Sequence, residues 1–139
     1  MKVLFVAGFG AIVRDMQSSL RFYRDAIGIP LVEKEDVATE ALDGVKYFSL
    51  WPLADAAESC FGEREWPSNV AVPQAWIEFD VEDIAAAAEE LRAKGYKLLV
   101  GPREEPWGQT VARLLSPEGL LVGVTFTPWM REGGGPPTP

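Results

Sequence analysis

The chain has 139 residues, 47% of them hydrophobic and 24% charged, which is the size and composition of one ordinary globular domain. Its net charge of −8 disfavours nucleic acids and anionic membranes as partners, because both are bound through clustered lysine and arginine, and weakly favours cationic ligands. With no histidine and one cysteine, Cys60, the chain lacks an intrachain disulfide, the usual imidazole metal ligand and a Cys–His nucleophile.

The chain begins with an apolar segment, residues 1–6, that is too short for a signal peptide or a membrane span. We therefore expect a cytoplasmic protein with no membrane partner. The segment continues as a predicted strand to Val13. Within it, Gly8 and Gly10 indicate either close backbone approach or an open space beside the strand.

A helix and three strands are predicted next. Asp15 can accept hydrogen bonds from the free N–H groups of the first helical turn, and Gly28 ends the helix. Its apolar stripe has helical spacing and consists of Met16, Leu20, Tyr23 and Ile27. Strands are then predicted at residues 29–35, 38–42 and 45–51, the last two joined by a turn at Asp43-Gly44. Residues 1–51 thus form a first βαβββ module.

Residues 52–73 contain three prolines and little periodicity, which is typical of a linker between modules. The second module, residues 74–128, repeats the plan of the first. Its predicted elements are a strand at 74–81, a helix at 83–94 that Asp83 opens, and strands at 96–100, 109–115 and 120–127. The offset between the two aspartates is 83 − 15 = 68 residues, about half of the chain, so we infer a tandem duplication. The Gly/Pro-rich tail, residues 129–139, is expected to be disordered.

Several short motifs follow one another in the two halves. They are Val-x-Asp before each helix, Phe22-Tyr23-Arg24-Asp25 with Ile27-Gly28, the loop Pro106-Trp107-Gly108-Gln109, and the turn Ser116-Pro117-Glu118-Gly119. In this order they make residues 2–126 resemble the vicinal oxygen chelate superfamily, which includes glyoxalase I, extradiol dioxygenases and bleomycin-resistance proteins. The resemblance implies an α+β fold of two tandem βαβββ modules that curl around a cup, and commonly a homodimer.

In metal-dependent members of that superfamily, four positions hold the metal. The corresponding positions here are Gly8, Ser49, Trp76 and Gly123. Three of these have no metal-binding side chain and the serine is a weak neutral donor, whereas a divalent cation needs several carboxylate, imidazole or thiolate ligands. We therefore expect no metal and no other cofactor.

The other residues of the predicted cup are mostly aromatic. Trp76 either forms an apolar platform where a ligand histidine would point inward, or fills the cup as core. Tyr47, Ser49 and Trp51 share one strand face by the period of two, so the two aromatics point inward if the serine does. Trp107, in a Pro-Trp-Gly loop, is interpreted as a lid or stacking residue, with a packed loop anchor as the alternative.

Two charged residues belong to the same predicted site. Glu78 shares a strand face with Trp76 and Asp80, and its carboxylate would favour an amine or guanidine on a ligand. The alternatives are a base whose pKa is raised by burial, or a solvated carboxylate at a strand end. Arg113 is either a salt-bridge partner of an acidic residue at the rim or a ligand-facing cation, and we favour the salt bridge.

Three functions remain compatible with these residues. The favoured one is metal-independent binding of an aromatic or cationic compound, by sequestration as in the bleomycin-resistance branch. Its ligand-binding residues would be Tyr47, Ser49, Trp51, Trp76, Glu78 and Trp107. The second is a lyase or isomerase without metal that uses Glu78 as acid or base. The third is a dimeric interaction module whose cup is filled by side chains.

Overall fold

The computed structural model describes residues 1–131 and has an α+β architecture built on one eight-stranded mixed sheet. Its strands are β1 (Val3–Val13), β2 (Val32–Glu33), β3 (Val37–Thr39), β4 (Phe48–Pro52), β5 (Ala75–Val81), β6 (Val100–Glu104), β7 (Thr110–Leu115) and β8 (Leu121–Phe126). The helices are α1 (Met16–Leu20), continued by a π-helical turn (Arg21–Ala26), then α2 (Leu53–Phe61) and α3 (Ile84–Ala93), and a short 3-10 turn, Pro128–Met130, follows β8. Within these 131 residues, no helix has the length and apolar character needed to cross a membrane.

The sheet consists of two copies of one arrangement. Its strand order is β2-β3-β4-β1-β5-β8-β7-β6, and in each half the first strand pairs in parallel with the last, β1 with β4 and β5 with β8. The halves join where β1 runs antiparallel to β5, with Gly8 opposite Glu78 and Gly10 opposite Trp76. The predicted fold of two tandem βαβββ modules is therefore confirmed.

The helix ends follow the sequence signals. The Asp15 carboxylate accepts from the Ser18 backbone N–H at 3.3 Å, and that of Asp83 accepts from the Ala86 N–H at 3.0 Å. Gly28, with φ of +93°, and Gly95, with φ of +91°, follow the helices in the left-handed region that glycine adopts without strain. The sequence did not predict the π-helical turn that continues α1.

Two predicted strands of the first half are much shorter than expected. Of the strand predicted at 29–35 only Val32–Glu33 forms, and the strand predicted at 38–42 is observed as Val37–Thr39. Strand β2 lies at the edge of the sheet and has one neighbour, and charged exposed residues are common at such edges because they limit further pairing. In the second half the strand predicted at 96–100 begins only at Val100 and extends through Glu104.

The segment predicted as a linker, residues 52–73, contains the helix α2. Pro52 precedes its first residue and Gly62, with φ of +77°, ends it. One of the three prolines interpreted as linker signals therefore stands at the start of a helix. The buried face of α2 includes Ala56, Ala57 and Cys60 and packs in a core cluster with Trp66, Trp76 and Leu121. Burial raises the pKa of the Cys60 thiol to about 11, as expected for a thiol that packs as an apolar group.

Candidate functional site

A cavity of about 270 Å³ lies beside the junction of the two halves. It is lined by Ala7, Gly8, Asp36, Glu40, Tyr47, Ser49, Trp51, Trp76, Glu78, Trp107, Gln109, Arg113, Thr127, Trp129 and Met130. The set includes all six residues predicted from the sequence to contact a ligand. Their side chains are thus brought together by β4 and the residue before it, by β5 and by the loop before β7, while their role in binding stays a prediction.

One wall of the cavity is aromatic. The Trp76 ring makes edge-to-face contacts with Trp51 and Tyr47, at centroid distances of 6.1 and 6.3 Å, which is a favoured geometry for aromatic pairs. The Trp76 indole N–H donates to the Ser49 carbonyl at 3.4 Å. Trp76 is only 6% exposed and also belongs to the core packed by α2, so its two predicted roles coexist. These side chains leave the cavity open, in contrast to the filled cup of the third interpretation.

The floor of the cavity is a buried ion pair. Glu78 is 8% exposed and Arg113 is 1% exposed, and the Arg113 Nη1 donates to Glu78 Oε2 at 2.8 Å. The guanidinium also lies over the Trp51 ring, 4.8 Å from its centroid. The salt bridge favoured for Arg113 is present, although it lies in the interior and not at a rim. Because Glu78 is buried, it is not a solvated carboxylate at a strand end, which was one of its predicted alternatives.

Gln109 connects the floor to two walls. Its Oε1 accepts from the Trp107 indole N–H at 2.9 Å, while its Nε2 donates to Glu78 Oε1 at 2.9 Å and to Thr127 Oγ1 at 2.8 Å. The indole is only a donor and the carboxylate only an acceptor, so these two partners fix the orientation of the amide. Trp107, which is 46% exposed, can therefore offer a ligand its ring face but not its N–H group.

The opening of the cavity is acidic. Asp36 and Glu40 are exposed, and the Tyr47 hydroxyl donates to Asp36 Oδ2 at 3.4 Å. Burial, with a further contribution from the Asp36 charge, raises the pKa of the Tyr47 phenol above its ordinary value, so the hydroxyl stays a donor at neutral pH. With Glu78 and Arg113 the lining carries three negative charges and one positive charge, a net of −2.

The metal positions implied by the resemblance lie together in the structure but do not fit a metal. A Cβ added at Gly8 would lie 2.8 Å from the Tyr47 carbonyl oxygen and 3.0 Å from Trp76 Cη2, and one added at Gly123 would lie 3.0 Å from Glu78 Cγ. The Arg113 guanidinium is 3.5 Å from the same point at Gly123 and would repel a cation. In the described part of the chain, no three His, Cys, Asp or Glu side chains are grouped so as to hold a metal ion.

Sequence reasoning missed several lining residues. Trp129 and Met130 were assigned to a disordered tail, but they form the 3-10 turn after β8 and line the cavity; the rest of that tail, 132–139, lies outside the described residues. Trp129 itself was the available signal, because a tryptophan directly after the last strand indicates that the chain is still packed there. Gln109 was recognised only as part of a loop motif. Nothing in their local sequence distinguished Asp36 and Glu40 from other acidic surface residues.

Comparisons with known proteins agree with the fold. The family model described as "Glyoxalase/Bleomycin resistance protein/Dioxygenase superfamily" matches residues 6–124. A Bacillus subtilis (strain 168) protein described as "Uncharacterized protein YraH" is 27% identical over 116 residues, 81% of this chain and 91% of the relative.

Solved structures share the fold at low sequence identity. A superfamily member from Vibrio splendidus 12B01 is 19% identical, with a TM-score of 0.56, over 88% of this chain and 97% of its own. Methylmalonyl-CoA epimerase from Mycobacterium tuberculosis is 17% identical, with a TM-score of 0.57, over 88% and 87% of the two chains. At these identities the similarity shows the fold alone. The family model spans most of the length of this chain, and the chain therefore belongs to the glyoxalase/bleomycin resistance protein/dioxygenase superfamily.

Proposed function

We propose that this protein binds and sequesters a small aromatic compound that carries a positive charge, without a metal and without turnover. The observation that supports this most directly is the lining of the cavity. Four of the five tryptophans of the chain line it, together with Tyr47, three carboxylates and one guanidinium. The volume of about 270 Å³ lies just below the usual range of small-molecule sites, about 300–1,000 Å³, which favours a small ligand.

The lining suits such a ligand for two physical reasons. Aromatic faces stack on planar rings and attract cations, each contact contributing about 0.5 to 2 kcal/mol. The net negative charge of the lining adds a field that favours cations, since Arg113 is already paired with Glu78 and leaves Asp36 and Glu40 without a guanidinium partner in the lining.

A second candidate function is proton transfer by Glu78, as in a lyase or isomerase that uses no metal. The buried position of this carboxylate in the cavity floor supports it. However, Oε1 already accepts from Gln109 and Oε2 from Arg113, so a substrate proton would have to compete with both donors. Turnover that is lost in Glu78→Gln while ligand binding persists would favour this candidate over sequestration.

We also propose that the protein forms a homodimer. Several large apolar side chains of β1 are exposed in the single chain, among them Val3, Val6 and Phe9. A second copy of the chain would remove such a surface from water. Light scattering coupled to size exclusion would give twice the mass of 15.3 kDa if this is correct, and a monomer mass would contradict it.

The binding proposal can be tested with three matched probes. Tryptamine carries a ring and a positive charge, indole-3-propionate carries the ring with a negative charge, and hexylamine carries the charge without the ring. We expect tryptamine to raise the thermal midpoint and to bind most tightly in calorimetry, because it alone uses both properties of the lining. Equal affinity for the two indoles would contradict the electrostatic part, and a shift seen only with added Ni²⁺, Zn²⁺ or Mn²⁺ would contradict metal independence.

Removal of one aromatic contact should weaken binding without unfolding the protein. Trp107→Ala is expected to raise the dissociation constant of tryptamine by about 2- to 30-fold, the effect of one stacking or cation–π contact. Tyr96→Ala is the matched control, because Tyr96 is similarly exposed, at 52%, and lies outside the cavity. Unchanged affinity in Trp107→Ala would remove this residue from the binding site.

A further inference from the structure

The 3-10 turn Pro128–Met130, called the C-terminal turn below, forms part of the cavity wall. Trp129 and Met130 line the cavity, although they follow the last strand and pair with no neighbouring strand in the described chain. Among residues 1–131, the backbone bonds of the turn are short-range, such as the Met130 N–H to the Thr127 carbonyl at 3.1 Å. Its position against the cavity therefore depends on contacts made by the residues at its two ends.

Both ends of the turn are bound to one carboxylate, that of Asp80. Before the turn, Thr127 donates its backbone N–H to Asp80 Oδ2 at 2.9 Å and its hydroxyl to Oδ1 at 2.7 Å. After the turn, Arg131 Nε donates to Asp80 Oδ2 at 3.1 Å. The Thr125 hydroxyl supplies a fourth bond. A fully buried carboxylate needs such partners, and here Asp80, at 0% exposure, is satisfied largely by the residues that flank the turn.

Arg131 makes further contacts that hold it in this place. Its Nη2 donates to the Val81 carbonyl at 2.5 Å, and its guanidinium lies over the Phe126 ring at 4.5 Å from the centroid. The arginine thus reaches from the end of the turn back to β5. Its side chain is 20% exposed, whereas that of Asp80 is not exposed at all, so screening by solvent weakens this pair less than a surface pair.

We propose that Asp80 and Arg131 are positioning residues that hold Trp129 and Met130 in the cavity wall; the consequence for ligands rests on the proposed binding function. Asp80 is two residues from Glu78 on β5, and Gln109 links Glu78 to Thr127 through its Nε2. The floor of the cavity and its C-terminal wall therefore share one hydrogen-bonded network. The contacts of Asp80 with Thr127 and Arg131, called the clamp below, therefore hold the wall that Trp129 forms, and a ligand that contacts this wall should bind less tightly when the clamp is broken.

The test uses Arg131→Gln, which removes the charge at a partly exposed position and spares the buried carboxylate. Arg131→Lys keeps the charge but loses the fork that reaches both Asp80 and Val81, so it should restore part of the effect. Arg24→Gln is the control, because Arg24 also forms two ion pairs, with Asp25 and Glu33, and does not line the cavity.

The first readout needs no ligand. In protein labelled with 5-fluorotryptophan, the fluorine resonance of Trp129, assigned by its loss in Trp129→Phe, should move towards the position of the free amino acid in Arg131→Gln. The resonance of Trp66, which packs in the core away from the cavity lining, should stay in place. The inference would be overturned by a Trp129 resonance that does not move, or by an equal displacement of all five tryptophan resonances.

The second readout is the affinity for tryptamine. Arg131→Gln should raise the dissociation constant of tryptamine by about 3- to 10-fold, the effect of one displaced aromatic wall contact. Arg131→Lys should raise it by less, and Arg24→Gln should leave it unchanged. A displaced Trp129 resonance with unchanged affinity would overturn the role in binding. If tryptamine fails to bind the unsubstituted protein, the proposed function fails, and the fluorine resonance alone decides whether the clamp positions the turn.

Discussion

The two halves of the molecule share one topology but contribute different chemistry to the cavity. The first half supplies Tyr47 and Trp51 with the exposed carboxylates of Asp36 and Glu40. The second half supplies a buried polar network. Its members are Glu78, Asp80, Gln109, Arg113, Thr125 and Thr127, each no more than 8% exposed. Both halves present aromatic surface, since the second also supplies Trp76 and Trp107. The first half adds solvated charge, whereas the second adds a floor held by hydrogen bonds.

The backbone shows the same division. In the first half the outer strands β2 and β3 have two and three residues, and α1 passes into a π-helical turn. In the second half β6 and β7 have five and six residues and α3 has ten. Because the hydrogen bonds of a buried network depend on the placement of its strands, regular strands suit the half that carries it, although the buried Arg113 Nε has no hydrogen-bond partner among the described residues. The duplicated fold therefore has one copy with longer outer strands and one copy with shorter outer strands, and the latter borders the acidic cavity opening.

Of the variants that test the difference between the two halves, removal of one partner of the buried ion pair should have the largest effect on stability. Arg113→Met leaves the Glu78 carboxylate buried without its cation, which typically lowers the free energy of unfolding by about 3–5 kcal/mol. Urea unfolding at neutral pH would measure the loss.

Two further variants show whether the effect belongs to the second half. Arg24→Met removes the exposed ion pairs of Arg24 in the first half and should change stability far less. The double variant Glu78→Leu/Arg113→Met removes both charges and should recover most of the loss. If the single variant Arg113→Met is as stable as the unsubstituted protein, the cavity floor is not a buried Glu78–Arg113 ion pair.

A glycine of the first half provides the next test. Gly10 lies so close to β4 that an added Cβ would overlap the Ser49 backbone carbonyl, as the predicted close approach requires. Gly10→Ala must therefore displace a strand and should cost about 3 kcal/mol. In Gly123→Ala the nearest atom is Cγ of Glu78, a side-chain atom, at 3.0 Å, so the cost should be smaller. Thermal unfolding of both variants would rank them, and the reverse order would contradict the close approach of Gly10 to the β4 backbone.

The smallest effect should be the pH dependence of stability that Tyr47 contributes in the first half. Its pKa is raised in the folded state, mainly by burial, from an ordinary value of 10.0. Above that pH the unfolded chain loses the phenolic proton first, so stability should fall by at most about 1.4 kcal/mol per pH unit.

Tyr47→Phe has no phenol to ionise and should lack this part of the slope. Urea unfolding at pH 9, 10 and 11 would compare the two proteins, with the contribution of the Cys60 thiol present equally in both. Identical slopes would show that the Tyr47 phenol is not held protonated by the fold.

Much of the architecture could be predicted because its signals are local. Asp15 and Asp83 cap helices, Gly28 and Gly95 follow them, and the period of two in β5 places Trp76, Glu78 and Asp80 on one buried face. The helix α2 was missed because its nine residues lie among prolines that also fit a loop. The short β2 was overestimated because pairing at a sheet edge depends on neighbours and not on composition alone.

The site was predictable only in part. Strand alternation and the resemblance indicated Tyr47, Ser49, Trp51, Trp76, Glu78 and Trp107, all of which line the cavity. The partners of Glu78 lie 31 and 35 residues away, at Gln109 and Arg113, and no local pattern specifies such a distance. Trp129 was assigned to the tail because the clamp that holds it joins residues 51 positions apart.

The sequence by itself determined the duplicated α+β plan, the aromatic character of the cup and the lack of metal-binding side chains at the family positions, since each depends on residue type and short-range spacing. Only the tertiary structure decided which charges are neutralised in the interior, which stay at the opening, and how the C-terminal turn closes one wall. The physical reason is that burial and hydrogen bonding between strands distant in sequence set these properties, and both arise only when the fold brings those strands together.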